Sequence, residues 1–70
     1  MSLSKAKTNK EYTVHQVSGQ DDMVKFLFSL GCYEGEKVTI ISRVATNYII
    51  NIKDSRYGID EALAKIIQVA

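Results

Sequence analysis

Cys32, Glu34 and Glu36 stand at every second position, and with His15 they are the residues of this 70-residue chain best suited to ligate a metal or run a nucleophilic reaction. A Ser or Cys nucleophile would need His15, the single histidine, as its base. Nothing in the spacing brings His15, on a β-rich stretch, beside Cys32. The Cys-x-Glu-x-Glu spacing matches no ligand pattern of structural or catalytic metal sites, and one Cys with one His cannot build a closed soft-ligand shell. Cys32 therefore reads as a small buried hydrophobe just beyond a helix end, with the two glutamates as turn charges. No catalytic residue, metal ligand or cofactor emerges, and the chain is read as a non-enzyme.

Other ligand classes fare no better. Gly31 and Gly35 lack the Lys-Ser/Thr that a phosphate-cradling loop requires. Tyr12, Tyr33, Tyr48 and Tyr57 could stack bases or line a groove for proline-rich peptides. Nine Lys/Arg against eight Asp/Glu leave a formal net charge of +1, too balanced for an electrostatic nucleic-acid binder. Tyr48 belongs to the core pattern, and no acidic loop of the kind that accompanies a proline-peptide groove is evident. Hydrophobic residues at 46% and charged ones at 24% describe an ordinary globular domain. No apolar run approaches the roughly 20 residues that cross a bilayer. Neither direct membrane insertion nor secretion is expected, and a single unpaired Cys points to the cytoplasm.

The elements that must position these residues follow from the pattern. Residues 1–10 form a polar leading segment with Lys5, Lys7 and Lys10; Leu3 and Ala6 are its only anchors after Met1, and it reads as a frayed terminus. Residues 11–70 form one domain. Tyr12–Val17 is a strand, and Asp21 N-caps a helix that runs to about Leu30. Met23, Phe26, Leu27 and Leu30 form its core stripe, and Gly31 takes the left-handed C′ position. Residues 36–44 and 48–53 make a hairpin. If Val38, Ile40 and Val44 point inward with Tyr48, Ile50 and Ile52, its loop has three residues, Ala45-Thr46-Asn47. That register pairs Val44 with Tyr48 and Ile40 with Ile52. A short strand at Arg56–Ile59, a helical turn capped by Asp60 and a last strand at Ile66–Val69 complete the chain. The fold class is mainly β, a small, partly open barrel of about five strands.

Apolar surface exceeds what this core absorbs. Val24 and Phe28 lie one helical turn apart beside the stripe, and Ile41 and Ile49 are diagonal neighbours on the outer face of the hairpin. These four are the candidate partner-binding residues.

The order and spacing of these features resemble the FeoA family of small SH3-like proteins from bacterial ferrous-iron uptake systems. The resemblance runs from Leu3-Ser4 and Lys7 through Val14, Val17 and Gly19 to Leu27-x-x-Leu30-Gly31-Cys32. It continues through Gly35, Val38-x-Ile40, Ile50-x-Ile52, Ile59, Ala64 and Ile67-x-Val69. Departures are Thr8-Asn9 and Glu34-Gly35 where the family has Pro-Gly, a shortened hairpin loop, and Val24, Lys25 and Phe26 in place of an Arg-rich helix face. The resemblance implies an SH3-like barrel with Cys32 at an apolar core position. It also implies an accessory protein that docks to the cytoplasmic part of the membrane ferrous-iron transporter, a GTPase-linked permease. Weak homo-oligomerisation through the exposed apolar residues named above is a separate expectation. The alternatives are a stand-alone SH3-like regulatory module related to the C-terminal domain of iron-dependent repressors, and a direct Fe²⁺-binding protein using Cys32 and nearby carboxylates.

Overall fold

The computed structural model describes all 70 residues. Alternating β-branched and aromatic residues form five strands: β1 (Glu11–Val17), β2 (Lys37–Val44), β3 (Asn47–Ile52), β4 (Ser55–Asp60) and β5 (Ile67–Val69). They pair antiparallel in the order β4-β3-β2-β1-β5, and the two outer strands do not meet, so the barrel stays partly open. Helix α1 (Asp21–Ser29) joins β1 to β2, and the single-turn α2 (Glu61–Lys65) joins β4 to β5. Asp60 caps α2 as expected, its Oδ1 accepting from the Leu63 amide at 2.9 Å.

One cluster of fifteen buried side chains fills the barrel, led by Tyr48, Leu27, Ile40, Ile50, Ile52 and Ile67. The leading segment belongs to it, contrary to the frayed terminus expected. Leu3–Lys5 forms a 3₁₀ turn, and Leu3 and Ala6 are buried among the strands. Its backbone is tied at both ends: the Val69 amide donates to the Met1 carbonyl at 2.8 Å and the Asn9 amide to the Ile40 carbonyl at 2.7 Å. Its polar sequence concealed this, because two apolar side chains suffice to plug the end of a small barrel.

The hairpin also departs from expectation. Val44 pairs with Asn47 and Arg43 with Tyr48 across a two-residue turn, in which Ala45 takes a positive φ of 53°. Such a turn reverses the faces of one strand relative to the other. A β-bulge at Ile41 reverses them back, since Ile40 pairs with Ile50 but Ser42 with Ile49. Val44 therefore lies 71% exposed instead of in the core. Arg43 takes the Tyr48 side of the strand instead and stays exposed, its guanidinium 4.7 Å from the Tyr48 ring centre and its Nη2 donating to the Ala6 carbonyl at 2.9 Å. The next hairpin is regular: Lys53 and Asp54 both have positive φ in a two-residue turn matched to strand twist.

Candidate docking surface

Nine residues give α1 two and a half turns, and only Leu27 among them is fully buried. The helix begins one residue earlier than the cap assignment required: Gln20 is the N-cap, and Asp21 and Asp22 occupy the first turn, complementing the dipole. Leu30, the C-cap, packs partly on the core, and Gly31 follows at φ +88°, the left-handed position expected of it. The core stripe is thus narrower than its spacing implied. Met23 is half-buried and Phe26 is 45% exposed, so the barrel receives only the Leu27 edge of the helical face.

What Met23 and Phe26 line instead is the molecule's single surface cavity, a groove of about 420 Å³ between α1 and α2. Asp22, Met23 and Phe26 form one wall; Asp60, Ala62 and Leu63 form the other. An apolar floor with few polar groups is the usual chemistry of a recognition groove. Sequence reasoning missed it because both of its walls were read as core or cap, and no local signal reports that two helix starts face each other.

On the adjoining face of α1, Phe28 is 48% exposed and Val24 half-buried. Phe28 does not tuck beneath the leading segment. Its ring meets Tyr33 edge-to-face with centroids 6.1 Å apart. Tyr33 is held in turn by Lys53, whose Nζ donates to the phenol oxygen at 2.6 Å and pairs with Glu36 at 3.3 Å. Those two hydrogen bonds, Tyr33 first, push the Lys53 pKa upward. The result is a fixed aromatic ridge, Phe28–Tyr33, in which Tyr33 has a role its sequence position did not announce. Ile49 is 39% exposed because its cross-strand partner, Gly58, has no side chain to cover it; Ile41 is half-buried at the bulge. The four candidates therefore fall on two elements, Val24 and Phe28 on α1, Ile41 and Ile49 on the hairpin.

The chemical constellation dissolves. Cys32 is completely buried, and burial pushes its thiol up to about 11, so it is neutral and sequestered. His15 is exposed on β1, and no group of three or more His, Cys, Asp or Glu side chains converges anywhere in the structure. No helix is long and apolar enough to cross a membrane.

A five-stranded, partly open antiparallel barrel with two short helices defines a small domain of the SH3-like class. The chain belongs to the FeoA family: the FeoA domain model matches residues 1–70. Solved structures share the fold throughout. A crystal structure of the iron uptake regulatory protein FeoA is 21% identical with a TM-score of 0.90, covering 99% of this chain and 93% of that one. The zinc complex of Stenotrophomonas maltophilia FeoA is also 21% identical, with a TM-score of 0.88 over 100% of this chain and 89% of that one. That protein is described as a prokaryotic SH3 domain protein and a candidate bacterial ferrous iron transport activating factor. A manganese-dependent transcriptional repressor carries the same fold in part of its length, at 18% identity and a TM-score of 0.90, covering 99% of this chain and 40% of the repressor. No curated protein matches the chain.

Proposed function

We propose that this FeoA-family chain is a non-enzymatic, cytoplasmic accessory protein of bacterial ferrous-iron transport that docks to the cytoplasmic part of the membrane iron transporter. The observation that carries the reading is the exposed aromatic surface of α1, where Phe28 stands on Tyr33 and Phe26 opens onto the groove. Two phenylalanines left 45% and 48% exposed on one short helix form an apolar surface that a partner can cover. Aromatic residues carry a disproportionate share of interface energy, and Phe28 is already ordered by Tyr33, which lowers the entropy lost on docking. Val24 extends this surface; Ile41 and Ile49 form a second patch on the hairpin.

Capture of the transporter's purified cytoplasmic GTPase domain tests the reading. Phe28→Ser should melt within a few degrees of wild type and weaken capture at least tenfold, since burying such a side chain contributes roughly 1.5–3 kcal/mol. A folded Phe28→Ser variant that binds normally removes Phe28 as the anchor, and a wild-type chain that captures nothing sinks the docking reading. The fold shared with part of a manganese-dependent repressor supports a second reading, a stand-alone regulatory module. That reading predicts capture of a regulator and indifference to the transporter domain.

A further inference from the structure

Resting on the docking reading above, we propose that the groove between α1 and α2 selects a protein segment in which an apolar side chain is flanked by lysine or arginine, with Asp22 and Asp60 making the selection. The apolar part of the occupant is set by Met23, Phe26, Ala62 and Leu63, which supply the floor and walls. Met23 and the half-exposed ring of Phe26 form an adaptable apolar lining, suited to a leucine- or methionine-sized anchor. The charge of the occupant is set at the rim. Asp22 and Asp60 are the only charged residues lining the groove, and both are acidic.

Neither carboxylate has a cationic partner, although the chain carries nine Lys and Arg. The two ion pairs of the molecule lie elsewhere, Lys53 with Glu36 and Lys65 with Glu61. Each rim carboxylate is held by one oxygen only: Asp60 Oδ1 accepts from the Leu63 amide and Asp22 Oδ1 from the Met23 amide, both at 2.9 Å. The other oxygen of each has no hydrogen-bond partner within the chain. Each carboxylate is offset only in part by the helix start it faces, so the pair leaves a net negative field over the apolar cleft, which draws in a cation and repels an acidic segment. The same pair thus discriminates in both directions.

Three fluorescein-labelled nonapeptides test this by anisotropy against the intact chain. All carry one central leucine in a glycine-serine background, flanked by two lysines, two glutamines or two glutamates. The lysine peptide should bind about three- to tenfold tighter than the glutamine peptide at about 0.02 M salt, and the glutamate peptide more weakly than either. The preference should collapse at about 0.5 M salt, where screening is short-ranged. It should also vanish in the Asp22→Asn/Asp60→Asn double variant, which keeps the fold because asparagine caps α2 as well as aspartate. Ala62→Arg, on the exposed side of α2, should abolish binding of the lysine peptide by filling the groove. Equal affinities for the three peptides, a lysine preference that survives the double variant, or a groove closed by a second copy of the chain would overturn the proposal. Capture of the transporter domain with no peptide preference removes the selection and leaves docking intact. Peptide selection without such capture removes the transporter as partner and leaves the groove's selectivity standing.

Discussion

Cys32 decides between chemistry and packing at the scale of a single residue. Its side chain is fully buried and its thiol is pushed up to about 11, so the nucleophilic thiolate is absent at neutral pH. A thiol reagent at pH 7 should label Cys32 only as fast as the chain unfolds; rapid stoichiometric labelling of the native protein would contradict its burial. The sign of the pH effect follows from the raised pKa. The unfolded chain loses the proton near pH 9 while the folded chain keeps it, so stability is unaffected at neutral pH and declines between about pH 9 and 11. Comparing wild type with Cys32→Ala across that window isolates the contribution. The same burial bears on iron: anaerobic titration should show no one-to-one Fe²⁺ site at micromolar affinity that Cys32→Ser abolishes. A saturable isotherm of that kind would replace docking with direct metal binding. Cys32 was legible in the sequence because a small apolar residue after a Leu-Gly helix end has few other uses. The groove was not, because Asp22 and Asp60 lie 38 positions apart and each looks complete as a local helix-start residue.

Helix α1 shows where periodicity succeeds and where it misleads at the scale of an element. Its existence, its glycine stop and its buried Leu27 all follow from spacing and end signals. Spacing could not say how wide a stripe the barrel would accept. Four apolar residues at i, i+3, i+4 and i+7 described a full core face, yet the structure buries one and turns Met23 and Phe26 toward the groove. Two truncations separate these assignments. Leu27→Ala should destabilise by about 2–5 kcal/mol, the range for a buried leucine. Phe26→Ala should cost well under half of that, because its ring already faces solvent. Equal losses in denaturant titrations would mean that α1 packs by the broader stripe. The hairpin fails for a different reason. Alternation of faces along two regular strands dictates a three-residue loop, but the extra residue at Ile41 breaks regularity, and no feature of Ile40-Ile41-Ser42 marks a bulge in advance.

The whole molecule is held shut by the segment that looked least structured. The leading ten residues carry three lysines and few apolar side chains, yet they close one end of the barrel through contacts spread along the chain. Leu3 is buried against the core; the Lys7 amide donates to the Tyr12 hydroxyl at 3.0 Å; Tyr48 donates to the Ser4 carbonyl at 3.3 Å; and Arg43 reaches the Ala6 carbonyl. Two of those partners, Tyr12 and Tyr48, are buried polar-tipped rings that need a hydrogen-bond partner, and the leading segment supplies one to each. Removing it would open the core and strand both hydroxyls at once. A domain of this length buries only about 60% of its unfolded surface and has little stability in reserve. Leu3→Ala should therefore cost about 2–5 kcal/mol, as much as Leu27→Ala, although the two residues lie at opposite ends of the sequence pattern. Melting followed separately by far-ultraviolet and near-ultraviolet circular dichroism should show one coincident transition, shifted down by the substitution. A Leu3→Ala variant that melts with wild type would make residues 1–10 a dispensable tail and return the domain boundary to Glu11.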